Sequence, residues 1–138
     1  MNYILNCDIK VQGPNGGTPR DASKIISFTE QCCDILGLNY YPYEINIIVY
    51  PTYIHGYPDV WGLCYELDDG EINIHLARKV PVEVSTDESG WMKSDLYLTL
   101  AHELMHARQT AKGEKMYERP VRKNEEFICE LVKERLLW

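Results

Sequence analysis

A chain of 138 residues has room for one hydrophobic core, so one domain spanning residues 1–138 is expected. Its formal net charge of −7 argues against nucleic acid and anionic membrane as non-specific partners and favours neutral or basic substrates. The five cysteines, odd in number and without a C-x-x-C pair, argue against a zinc ribbon.

Met1–Lys10 lacks the basic start and apolar run of a signal peptide, and no stretch is long enough to span a bilayer. Reduced thiols in a cytoplasmic setting are the expectation. Asn2 to Val11 alternates apolar Tyr3, Leu5, Cys7, Ile9 and Val11 with mostly polar neighbours, which predicts a strand. Gln12 to Arg20 is turn chemistry without the Gly-Lys-Ser/Thr ending of a phosphate loop, and is read as a connection. Asp21 to Leu36 predicts a helix, opened by Pro19 or Asp21 and closed by Gly37. On it, Cys32 and Cys33 read as small core residues.

Tyr43 to Tyr50 predicts a second strand, parallel to the first through a right-handed crossover. Thr52 to Asp59 is a loop carrying His55. Val60 to Leu67 and Glu71 to Arg78 predict a hairpin around Asp68-Asp69-Gly70. Lys79 to Lys93 reads as a loop.

Ser94 to Lys112 predicts a helix capped by Ser94 or Asp95 and stopped at Gly113. Leu96, Leu100, Leu104, Ala107 and Ala111 form its apolar stripe, and Tyr97, Leu98, Ala101 and Met105 flank it, so the helix is central. It carries His102-Glu103-Leu104-Met105-His106, an H-E-x-x-H sequence. Residues four apart on a helix share a face, so His102 and His106 can present two imidazoles to one ion. Glu103, one position round, can hold a water beside it. Val121 to Leu137 predicts a closing helix, with Pro120 at its first turn.

A zinc held by two histidines needs a further protein ligand. No histidine or aspartate follows His106, so a ligand from the closing helix would be Glu118, Glu125, Glu126, Glu130 or Glu134, with Cys129 less suited. Gln109 and Lys112 replace the Gly and His of the metzincin extension. The apolar face of the last helix, drawn by Ile128, Leu131, Val132 and Leu136, brings Glu125 nearer to the motif than Glu126. Asp95 can cap its helix or take up a free imidazole nitrogen, and capping is preferred.

The motif, followed on a later helix by Asn124-Glu125, resembles the gluzincins, zincin-type metallopeptidases of the thermolysin-like clan. The resemblance implies an α+β, zincin-like fold. It would have a mixed sheet of about four strands, one helix before the hairpin, a central motif helix and a C-terminal helix. It implies Zn²⁺ bound by His102, His106 and Glu125. Strict thermolysin-like spacing would shift the last to Glu126, with Glu130 then available as partner to the first histidine. It further implies Glu103 as general base for hydrolysis of peptide or protein substrates. The second lobe of larger members has no counterpart here, which leaves room for a protein partner that completes the cleft. An extended substrate would lie along Glu71 to Arg78, and His75, Tyr117 or Arg119 would steady the oxyanion. The alternative is a zincin-like metal-binding interaction module without peptidase activity; the presence of Glu103 favours the enzyme.

Overall fold

The alternating strands pair into one four-stranded sheet in the computed structural model, which describes residues 7–67, 70–81 and 91–138. Strands β1 (Asp8–Gln12), β2 (Glu44–Tyr50), β3 (Gly62–Leu67) and β4 (Glu71–Ala77) lie in the order β1-β2-β4-β3. β1, β2 and β4 are mutually parallel, as expected for the first pair, and β3 returns antiparallel on β4. The register puts Ile9 beside Ile45 and Ile45 beside Ile72, and Val11, Ile47 and Ile74 form the next apolar row. One face of the sheet therefore presents continuous branched side chains to the helices.

Those helices are α1 (Ala22–Leu36), α2 (Leu96–Ala111) and α3 (Glu118–Leu136). With the sheet they close one buried cluster, which includes Phe28, Ile45, Ile74, Leu100, Leu104 and Val132. Cys32 and Cys33 are both fully buried there, and all five cysteines are free thiols. The opposite phase of the strands contributes Tyr50 and Ala77 to a smaller cluster with Ile54 and Val80. The architecture is α+β, with a mixed sheet and three helices. Among the described residues no helix is long and apolar enough to cross a membrane.

Several expectations change at element ends. The first strand begins at Asp8; the expected part from Asn2 to Asn6 lies outside the described residues. Asp21 stands at the start of α1 but makes no cap bond, because Arg78 holds both its carboxylate oxygens at 2.6 and 3.0 Å. Lys79–Pro81 and Trp91–Lys93, expected as loop, pair as short antiparallel strands β5 and β6. At α2 it is Asp95 that caps, accepting from Leu98 N at 3.2 Å, while Ser94 Oγ donates to Ala77 O at 2.7 Å. The serine thus ties the start of the motif helix to the end of β4.

Two differences bear on function. Strand β4, expected to carry the substrate, is flanked by β2 and β3; among the described residues the sheet's edge strands are β1 and β3, and β3 is the one that packs beside α2. And α3 starts at Glu118, about a turn before the expected Val121. Pro120 fits inside that first turn because the first N–H groups of a helix have no intrahelical acceptor.

Candidate metal centre

Helical spacing brings His102 and His106 together as expected, with their Nε2 atoms 3.2 Å apart. Both opposite nitrogens are engaged. Nδ1 of His102 meets Glu125 Oε2 at 2.5 Å, and Nδ1 of His106 meets Gln109 Oε1 at 2.9 Å. An acceptor at each Nδ1 holds the ring proton there and leaves the Nε2 lone pairs turned on one another. Lone pairs that close repel unless a cation or proton lies between them.

The third group at this point is Glu118. Its Oε1 is 2.8 Å from His106 Nε2 and its Oε2 is 3.2 Å from His102 Nε2. Glu118 is half exposed, whereas His106 is buried and His102 nearly so. Burial would raise the Glu118 pKa, but with a proton in the cation's place at the Nε2 pair, attraction to His106 and His102 and the bonds with His106 and Arg122 outweigh it, and the net shift is downward. His102, His106 and Glu118 form a group that could hold a metal ion. The donor set fits zinc: two nitrogens each about 2.0–2.1 Å from a tetrahedral ion lie about 3.3 Å apart.

The geometry differs from expectation at Glu125. That carboxylate sits on the far nitrogen of His102, as orienting partner, and Glu118 is the one that reaches the Nε2 pair. The cause is the early start of α3. Glu118, Arg122 and Glu125 then fall one and two turns apart on a single face. Glu126 is exposed on a neighbouring face, Glu130 pairs with Lys133 at 3.9 Å, and Cys129 is buried in the core. Asp95 caps its helix and serves neither histidine.

Glu103 lies where the sequence places it. Its Oε1 is 4.0 Å from His102 Nε2 and its side chain is 8% exposed. Burial pushes its pKa up to about 7, against the opposing pull of His102 and His106. Gly62, at the start of β3, makes room for it. A Cβ there would come within 2.8 Å of Thr99 Cγ2 and 3.0 Å of Glu103 Cγ.

A cavity of about 520 Å³ opens over these groups. His102 and Glu103 of α2, Trp61 and Gly62 at β3, and Glu118 and Arg122 of α3 all line it. The expected oxyanion residues are not there. His75 is on the other face of the sheet, between Tyr50 Oη and Tyr65 Oη at 2.9 Å each, and burial lowers its pKa. Tyr117 contributes its main chain, to Gln109, and its exposed side chain does not line the cavity; nor does Arg119. His55 stays an exposed loop residue with its ring against Tyr50.

The sequence reading missed Gln109, Gly62 and Arg122. An acid and a proline within three residues, Glu118 and Pro120, are a helix-start signal that would have favoured Glu118. No local signal identifies Gln109 or Gly62, whose roles depend on contacts between elements. Comparison of the chain with protein-family models, curated proteins and solved structures finds no match.

Proposed function

We propose that the protein is a zinc-dependent peptidase with a zincin-like fold, in which His102, His106 and Glu118 bind the metal and Glu103 is the general base. The observation that carries this reading is the pair of Nε2 atoms 3.2 Å apart with both Nδ1 atoms held from behind. A divalent ion bound there supplies a Lewis acid for a carbonyl oxygen and a water acidified towards neutral pH. The remaining steps belong to the chain's own residues. Glu103, buried beside His102, is placed to take a proton from the attacking water and pass it to the leaving amine nitrogen.

Peptide is the substrate class that suits the surroundings. Among the described residues β3 is an edge strand beside the motif helix, and an extended backbone can add to such an edge as a further strand. Its first residue, Gly62, borders the same cavity as Glu103. The order of elements is also that of a zincin core: mixed sheet, motif helix, then a helix bearing the third ligand.

The test sets wild type beside Glu103→Gln, measuring zinc content and cleavage of a broad peptide library. About one zinc per chain is expected in both, with cleavage confined to wild type. A wild-type protein that holds zinc and cuts nothing would instead favour the metal-binding interaction module.

A further inference from the structure

Hydrolysis of an amide puts negative charge on the carbonyl oxygen, and a fixed donor aimed at that oxygen is usually worth a large part of the rate. We propose that Arg122 is that donor, a catalytic residue of the site; this rests on the peptidase reading above. Glu118, Arg122 and Glu125 share one face of α3, and all three line the cavity. The first reaches the Nε2 pair and the last holds His102 from behind, so Arg122 projects from the turn between them.

Its Nε donates to Glu118 Oε2 in a long bond of 3.4 Å, which keeps the near end of the guanidinium on the side of Glu118. Among the described residues, neither terminal nitrogen of Arg122 has a hydrogen bond or ion pair. The side chain is 74% exposed, so it carries little packing. A guanidinium held at Nε and free at both Nη presents a two-pronged donor to an incoming oxygen. Lys93 also lines the cavity but makes no ion pair with Glu118.

In the step assigned to it, the water oxygen bonds to the carbonyl carbon and the π pair moves to the carbonyl oxygen. Arg122 donates to that oxygen and keeps its own protons. The water proton goes to Glu103 and then to the amine nitrogen as the C–N bond breaks.

The experiment uses zinc-loaded wild type, Arg122→Ala and Arg122→Lys. It measures kcat and KM on a peptide that wild type cleaves, zinc affinity, and binding of a phosphinic peptide, which mimics the tetrahedral oxygen. For Arg122→Ala the expected result is a fall in kcat of about 100-fold with KM and zinc affinity little changed. Phosphinic-peptide affinity should fall in step with kcat, and Arg122→Lys should recover part of both. Zinc affinity falling in parallel with kcat would overturn the proposal, since Arg122 would then act only by orienting Glu118. Equal phosphinic-peptide affinity in wild type and Arg122→Ala would also overturn it, and is readable even if no cleaved sequence is found. Failure of the peptidase reading shows separately, as hydrolysis that survives Glu103→Gln.

Discussion

The side-chain amide of Gln109 closes on the main chain of Tyr117 from both ends: Oε1 accepts from Tyr117 N at 3.1 Å and Nε2 donates to Tyr117 O at 3.1 Å. The same Oε1 accepts a hydrogen bond from Nδ1 of His106. One amide therefore sets the angle of the second histidine and the position of the residue that immediately precedes Glu118. Gln109 is buried, so water cannot easily replace it.

Gln109→Ala should consequently weaken zinc binding about 10–100-fold, the usual effect of losing a ligand's orienting partner. Competition with a chromogenic chelator measures it. Gln109→Glu keeps an acceptor for His106 but sets a carboxylate oxygen against Tyr117 O. It should hold zinc more tightly than Gln109→Ala while melting below wild type. Unchanged zinc affinity in Gln109→Ala would mean that His106 is aligned by its helix alone.

Gly62 acts through space. Thr99 is β-branched and stiff at χ1, so it gives way poorly to a Cβ placed 2.8 Å from its methyl. Gly62→Ala should cost about 1–3 kcal/mol in stability, the range for overpacking, and should lower turnover by displacing Glu103 while leaving zinc bound. Adding Thr99→Ser removes that methyl and should recover part of the stability. Turnover should recover less, because the contact with Glu103 Cγ remains. Denaturant titration and kcat on one peptide separate the two effects.

Burial of Glu103 has a cost that shows when the metal is absent. Its carboxyl keeps its proton up to about pH 7 in the fold, against an ordinary value of 4.5. An acid with a raised folded pKa binds its proton more tightly folded than unfolded. The stability this gives is intact below pH 4.5 and is lost as pH rises to about 7. In chelator-treated protein, Glu103→Gln should thus be more stable than wild type at pH 8, by about 3 kcal/mol at most. The difference should shrink to near zero by pH 4. Parallel urea titrations at the two pH values measure it, and an equal gain at both would remove the link to ionisation.

Periodicity made much of this fold legible. The parallel β1–α1–β2 crossover, the hairpin and the buried motif helix follow from where Ile45, Ile47, Ile72, Ile74, Leu100 and Leu104 recur, and the structure buries all six. His102, Glu103 and His106 converge as one turn of helix dictates. Sheet order was harder. β4 inserts between β2 and β3 by long-range pairing, which no local pattern encodes, and the identity of the edge strand moved with it. A helix start at Val121, where the apolar pattern begins, leaves Glu118 as one glutamate among five. Starting the helix about a turn earlier puts Glu118 on the same face as Glu125 without altering the apolar pattern. Gln109 looked only like a mismatch to a longer motif, since its partners are set by the turn between α2 and α3.

Zinc affinity in wild type, Glu118→Ala and Glu125→Ala, compared in one competition assay, tests the assignment of the metal set most directly. Wild type should bind about one equivalent, Glu125→Ala about 10–100-fold more weakly, and Glu118→Ala more weakly still, as expected for loss of a ligand. Glu118→Ala binding zinc as tightly as wild type, while Glu125→Ala binds none, would contradict the assignment and return the third ligand to Glu125.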